Sequence, residues 1–328
     1  MTRVSAAVNG VSDRYDDVMI LSTARQHGRG PTRLPDRIDR ERRIAAIQVE
    51  TDAQAEEVLR TLDRAGRRFY LDVERKQDLH LMETAAAVVR LGERFAIKPN
   101  DITVDALVAV LVEHFGPDLT GVRVAINGSG NLGFKFALRL AESGCAVFLV
   151  GRDMAKTERL IDVINTVLPA FTQFPVAGEV PTGAVHVLVS AVTAEHVITP
   201  EWLGKLAPAA LCLDVGINNL SPSFIEAAIA AGHICSRVDV RSAGDPLPVI
   251  PNPFFAQIAG RREFRGVEIV AGGLLGNRGD LVVDQMLNPT LLIGIANGTG
   301  GLLSQDDWTA EMRARATEIE AAIVASEA

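Results

Sequence analysis

The chain has 328 residues, a formal net charge of −8 and 48% hydrophobic residues, enough apolar material for two domains with cores of their own. The acidic balance gives no footing for nucleic acid or an anionic membrane surface, and the opening MTRVSAAVNGVSDRYDD has no apolar core of signal-peptide length, so a cytoplasmic protein is expected. Cys145, Cys212 and Cys235 fall in or beside expected buried strands without metal-ligand spacing or even pairing; they read as small core residues, and no metal site is expected.

In chain order, residues 1–17 lack periodicity and a first strand is expected over 18–22. A loop rich in glycine, proline and arginine then runs to Pro35. Within it Arg25, His27 and Arg29 are candidates to hold a substrate carboxylate or phosphate, or are surface groups. The spacing predicts a helix over 36–45, a strand over 46–50, a helix over 52–65 with Val58, Leu59 and Leu62 inward, and a strand over 69–73. That strand delivers Glu74-Arg75-Lys76 to a carboxyl edge, where α/β layers place ligand-binding residues. Lys76 is therefore the first catalytic candidate, able to donate a proton to a reacting oxygen or nitrogen or to stabilise charge there. A helix over 78–91 follows. Asn100, Asp101 and Thr103 open an apolar helix that reaches Phe115, and one of them is expected to cap it. Asp101, if it also faces the crevice, can pair with Lys76 and tune it.

The most specific signal lies in residues 122–152. A β-branched run over 122–126 passes into Gly128-Ser129-Gly130-Asn131-Leu132-Gly133, a helical spacing follows over 134–143, and a second apolar run covers 145–150. In this β-α-β context GxGxxG has a mechanism: a tight turn, a close backbone approach to a pyrophosphate, and a close helix–strand contact. The helix N-terminus would offer its N–H groups to the phosphates. The second strand ends in Gly151-Arg152-Asp153, with Lys156 one turn on, rather than in a carboxylate suited to ribose hydroxyls. Arg152 could stack on adenine and grip a 2′-phosphate, which favours NADP while leaving NAD possible. Alternatively, Arg152 and Lys156 are a solvated helix start and Asp153 its N-cap.

Beyond this unit, helices are expected over 153–168, 200–206 and 221–231, a loop region over 171–181, and strands over 185–191, 210–217 and within 232–240, with His186 on a strand surface. The second of these strands, over 210–217, ends in the Asp214-Val215-Gly216-Ile217-Asn218 run. These alternations predict a parallel sheet flanked by helices. A proline-rich connector over 245–253 precedes Gly272-Gly273 and Gly276-Asn277-Arg278-Gly279-Asp280, read as a glycine turn entering a helix that carries Gln285; such a turn, Gly273 included, can bring backbone against a nicotinamide or be a plain loop. The uncharged stretch over 286–305 has the length of a membrane span, but Asn288, Pro289, Asn297 and glycines at 294, 298, 300 and 301 speak against one. A last helix is expected over 311–325.

This order of parts resembles the aminoacid-dehydrogenase-like superfamily, in which a small N-terminal catalytic α/β domain precedes a Rossmann domain and a C-terminal helix returns to the first. The resemblance implies an N-terminal catalytic domain over 1–117, a doubly wound nucleotide-binding domain over 118–288 and a segment over 289–328 packed on the first domain. Asp214-Val215-Gly216-Ile217-Asn218 and Gly272-Gly273 are similar to motifs of methylenetetrahydrofolate dehydrogenase/cyclohydrolase and methylenetetrahydromethanopterin dehydrogenases, which line the nicotinamide end and implicate Gly216, Asn218 and Gly273 in cofactor binding. Ala271 stands where that family has proline, and its KDVDG and PCTP signatures are missing. Lys76, Asn100-Asp101, Asn218 with Ser221-Pro222, and Gln285 resemble shikimate dehydrogenase, implying a Lys76–Asp101 catalytic pair with Asn100 and Gln285 on the substrate. The combined expectation is an NAD(P)-dependent oxidoreductase, foremost a one-carbon dehydrogenase acting on a methylene-tetrahydropterin, with a shikimate-like alcohol dehydrogenase and a non-catalytic nucleotide sensor as alternatives. A homodimer is expected from the many apolar helix faces.

Overall fold

The computed structural model describes residues 3–11, 14–23, 28, 30–39, 42–74, 76–243, 260–271 and 276–327. Arg25, His27, Arg29, Gly273 and the 245–253 connector lie outside the described residues. The chain divides into two compact units, Met1–Pro248 and Val249–Ala328.

The first unit holds two five-stranded sheets. The N-terminal one follows α1 (Arg3–Val8) and is built from β1 (Asp17–Ser22), β2 (Thr32–Asp39), β3 (Arg42–Val49), β4 (Arg68–Asp72) and β5 (Glu93–Ile97), in the order β2-β3-β1-β4-β5. All neighbours are parallel except the β2–β3 pair. Helices α2 (Asp52–Leu62) and α3 (Leu81–Val88) cover one face, burying Ala55, Val58, Leu59, Leu62, Leu81, Ala85 and Val88 against Val18, Ile20, Ile47 and Leu71. The three apolar positions expected to face inward on α2 do so. Thr51 caps that helix through Gln54 N–H.

Residues 36–45 are not the expected helix. Leu34 and Ile38 pair with Ala46 and Arg43 as the edge of an antiparallel ladder, with a register shift between Leu34 and Arg37. Charged residues with good helix propensity are overridden there because Ile44–Val49 is a core strand and pulls its neighbour into pairing; Pro35 is tolerated at the irregular edge. Arg37 is buried, and its guanidinium donates to the Val240 carbonyl at 2.9 Å.

The long helix α4 (Pro99–Phe115) connects the two sheets, and its Val104, Leu107 and Leu111 enter the core of the second. That sheet is fully parallel, in the order β10-β9-β8-β6-β7, from β6 (Arg123–Asn127), β7 (Ala146–Val150), β8 (Val185–Ser190), β9 (Leu206–Asp214) and β10 (Ile234–Arg237). Its helices are α5 (Asn131–Glu142), α6 (Met154–Val167) and α7 (Pro222–Ala230). The chain leaves β6 toward β7 on one side and returns to β8 on the other, so β6 is the topological switch point, where a doubly wound sheet opens a crevice at its carboxyl edge. The architecture is the α/β, doubly wound arrangement expected from the alternating pattern.

The second unit is a four-stranded sheet, β11 (Gly260–Phe264), β12 (Val267–Ala271), β13 (Leu281–Val283) and β14 (Leu292–Ile295) in sequential order, with helix α8 (Ala310–Glu327). Ala316, Ile319 and Ile323 of α8 join Ile269, Leu281 and Ile295 in one core. One expectation changes. The segment carrying Gln285 is not a helix, because Leu281–Val283 pairs parallel with β12 and antiparallel with β14. The contact division falls at 248/249, with the strands over 260–271 and 281–295 pairing among themselves and covered by α8. The uncharged stretch over 286–305 folds around β14, and among the described residues no helix is long and apolar enough to cross a membrane.

His186 sits on β8, half-buried, its Nδ1 accepting the Arg123 N–H at 3.2 Å. Burial, and after it the Arg123 guanidinium, pushes its pKa below the ordinary histidine value of 6.5. A depressed histidine favours the fold while neutral, so this stability is present above about pH 6.5 and is lost as the pH falls through the lower folded value. His186→Asn should flatten the acid-side decline in urea-unfolding free energy measured across that range. Ile319→Ala, at a fully buried position on α8, is expected to cost the second unit about 2–5 kcal/mol, read by urea or thermal unfolding.

Candidate functional site

The turn after β6 is held by backbone contacts that admit only hydrogen. A Cβ on Gly133 would stand 1.7 Å from the Gly128 carbonyl oxygen, so α5 starts in direct contact with the turn that precedes it. Gly128 has φ +135°, and a Cβ there would meet the Ala191 carbonyl at 2.7 Å. Gly130 differs: nothing lies within 4 Å of its added Cβ, which would project into open space. Gly130 is also the N-cap of α5 and no side chain caps that helix, so the first-turn N–H groups are left for a ligand. Gly151, not singled out in the sequence, completes the cradle: a Cβ there would lie 2.2 Å from Ser129 Oγ and 2.4 Å from Thr157 Oγ1.

These elements line a cleft of about 680 Å³ that includes Ser129, Gly130, Arg152, Lys156 and Val192, within the range of small-ligand and cofactor sites. Asp153 Oδ1 accepts the Lys156 N–H at 3.0 Å as the N-cap of α6. That carboxylate is thus committed to the helix, as the alternative reading of this stretch foresaw. Arg152 and Lys156 are exposed on the cleft and make no ion pair among the described residues. An open backbone cradle at a helix N-terminus beside two uncompensated cations fits a diphosphate with a further phosphate near the second strand.

On the opposite side Asn219, absent from the sequence-derived candidates, pins the loop over 191–194. Fully buried, it accepts from Ser190 Oγ (3.1 Å) and Val192 N–H (3.2 Å) and donates to the carbonyls of Val192 (3.0 Å) and Ala194 (2.7 Å). Gly216 packs against this loop, its added Cβ only 2.1 Å from the Val192 carbonyl. Asn218 is exposed at φ +59°, and its side-chain oxygen accepts from Arg237 at 2.6 Å. Neither Gly216 nor Asn218 lines the cleft.

Between the two sheets of the first unit lies a cluster of charges. Lys76, in a 3-10 turn after β4, places Nζ 3.4 Å from Glu74 Oε2 and 3.7 Å from Asp72 Oδ2. Asp72 is buried and accepts from Ser22 N–H (3.1 Å), from Ser22 Oγ and from Glu74 N–H (2.9 Å). The expected Lys76–Asp101 pair is not formed. Asp101 Oδ1 instead accepts from Lys135 Nζ at 2.5 Å, and Lys135 also reaches Glu74 Oε1 at 3.3 Å. Asp101 lies in the first turn of α4 and pairs with the first turns of α5, so the nearer ammonium is on α5. Burial works against the Lys135 ammonium, yet Asp101 and Glu74 hold its pKa above the ordinary lysine value. Asn100 donates from Nδ2 to Asn131 Oδ1 (3.1 Å) and from its backbone to Glu74 Oε2 (2.9 Å).

The sequence could have flagged Lys135: it lies four residues after Asn131 and so shares a helix face with a residue of the glycine motif. Gln285 belongs to the second unit, where its Nε2 donates to the Asn288 carbonyl at 2.5 Å. Cys145 and Cys212 are fully buried, with burial pushing their thiols up to about 11 and about 12. Among the described residues no group of side chains is arranged to hold a metal.

No protein-family model matches the chain, and no curated protein does. Solved structures similar to it include L-tryptophan dehydrogenase from Nostoc punctiforme, at 17% identity over 62% of this chain and 60% of that one with a TM-score of 0.38. A shikimate dehydrogenase in complex with NADP+ is 16% identical over 62% and 77%, TM-score 0.40. The ligand-free 5-ketofructose reductase of Gluconobacter sp. strain CHM43 is 17% identical over 68% and 87%, TM-score 0.40. The match thus spans less than two thirds of the tryptophan dehydrogenase.

Gly133→Ala and Gly130→Ala separate folding from binding. The first forces α5 off its turn and should cost about 1–3 kcal/mol in thermal or urea unfolding. The second, at φ −86° and free of contacts, should leave stability within about 1 kcal/mol but fill the cradle and abolish dinucleotide binding in a fluorescence titration.

Proposed function

We propose that the chain is an NADP-dependent oxidoreductase, with the first-unit crevice as its active site. One observation carries this: the cradle left open at Gly130 lies beside Arg152 and Lys156, which have no acidic partners among the described residues and stand where an NAD-selective site would present a carboxylate. The α5 N-terminus and the Ser129–Gly130 backbone would hold the diphosphate, and Arg152 with Lys156 the 2′-phosphate. When bound, the nicotinamide supplies or accepts a hydride.

The charge cluster supports a finer assignment. Asp72, Glu74 and Asp101 set three carboxylates against the two ammonium groups of Lys76 and Lys135. Such a crevice suits a substrate rich in N–H donors more than an anionic hydroxy acid. A methylene-bearing tetrahydropterin has those donors, and removal of hydride from its one-carbon bridge leaves a cationic methenyl product. Neighbouring carboxylates stabilise positive charge as it develops. Lys76 then orients the pterin by donating hydrogen bonds, and the step needs no proton acceptor. The alcohol-dehydrogenase alternative is favoured by the 3.7 Å approach of Lys76 to Asp72, which would take the role expected of Asp101 in relaying the hydroxyl proton.

Fluorescence titration should show NADPH binding more tightly than NADH, with Arg152→Ala weakening NADPH by about tenfold or more and NADH little. No binding of either nucleotide overturns the proposal. A turnover panel of methylene-tetrahydropterins and hydroxy-acid alcohols, run with Asp72→Asn, decides the substrate class. Pterin turnover that falls only in part, with Glu74 and Asp101 still in place, supports the first assignment; alcohol turnover that collapses with the substitution supports the second.

A further inference from the structure

The first turns of α5 do two things at once. Their N-terminal end at Gly130 faces the cleft, while Asn131 and Lys135, one turn apart, reach Asn100, Asp101 and Glu74 of the N-terminal half. Glu74 is the hinge of that contact. Its Oε1 takes Lys135 at 3.3 Å, and its Oε2 takes Lys76 at 3.4 Å and the Asn100 N–H at 2.9 Å. Its side chain is only 11% exposed, so the carboxylate has little water to fall back on and must be divided between two ammonium groups.

We propose that Lys135 is a positioning residue that ties the dinucleotide-binding helix to Lys76 by sharing the Glu74 carboxylate. Because this role assumes that the α5 cradle binds NADP, it rests on the function proposed above. The groups facing Lys76 are Asp72 from the end of β4 and Glu74 just after it; behind Glu74 stand Lys135 from α5 and Asp101 from α4. With Lys135 present, Asp101 and Glu74 anchor it together, and Glu74 offers Lys76 only part of its charge. Without it, Glu74 loses one of its two ammonium partners and, still accepting from the Asn100 N–H, offers Lys76 its undivided charge. A nucleotide that draws on the α5 N-terminus shifts the same helix that carries Lys135, so occupancy of the cradle is felt at Lys76.

The readout is the labelling rate of Lys76 by an amine-acylating reagent at fixed pH, followed by peptide mass spectrometry, with Lys98 and Lys205 as internal references. In Lys135→Met the rate at Lys76 should fall about threefold or more relative to the references, because an ammonium held by an undivided carboxylate is less available. Lys135→Arg should restore it, since the guanidinium can bridge both carboxylates. Saturating NADPH should change the Lys76 rate in the wild type and not in Lys135→Met. If Lys135→Met does not fold, Glu74→Gln should raise the Lys76 rate instead. Equal Lys76 rates in the wild type and Lys135→Met, or an unchanged rate in Glu74→Gln where that variant is used, overturn the role. If NADPH fails to bind while the Lys135→Met effect persists, the cofactor assignment is lost and the Glu74 sharing stands.

Discussion

The contact between Gly133 and the carbonyl of Gly128 is the constraint on which the rest of the first unit depends. It sets α5 so close to β6 that the helix begins at the carboxyl edge of the sheet, with its N–H groups over the switch point between β7 and β8. Gly128 must also pass the Ala191 carbonyl, which couples the turn to the loop after β8. Asn219, with no exposure, then fixes that loop from the far side with three hydrogen bonds and the end of β8 with a fourth. The cleft is therefore preorganised by backbone and by one buried amide, and its side chains are free to face a ligand.

The same helix sets the charge cluster beside the cleft. Because α5 starts where it does, Lys135 falls within reach of Asp101 at the start of α4 and of Glu74 after β4, two carboxylates from the other half of the unit. Partly buried charges of both signs in contact are held in one arrangement more firmly than surface pairs, since each would otherwise be left without a partner. Lys76 is thereby oriented by Glu74 and Asp72. The cluster beside the cleft is thus three carboxylates around two ammonium groups rather than an isolated lysine–aspartate pair.

The second unit follows a different logic. Its strands have three to five residues each, and β11 to β14 pair with one another and bury a single face under α8. A helix with regular charge on its outer positions and Ala316, Ile319 and Ile323 inward is enough to close such a sheet.

What the sequence determined by itself is what depends on near neighbours. The GxGxxG turn, the β-α-β unit around it, the inward face of α2 and the capping role of Asp153 each follow from spacings of a few residues, where steric rules for glycine and helix period leave little choice. The parallel, doubly wound sheet was legible from the alternation of strands and helices. Tertiary structure decided the rest. Residues 36–39 lie in a stretch of helical composition but pair as the edge strand β2 because β3, which takes 42–45, is in the core, and 281–283 become a strand because β12 and β14 flank them. Asp101 takes Lys135 instead of Lys76, and Glu74 and Asn219 become central, because these groups meet only when elements from 61 and 27 residues away are brought together. Electrostatic and hydrogen-bond partners are set by distance in space, and a single chain read in order contains no measure of it.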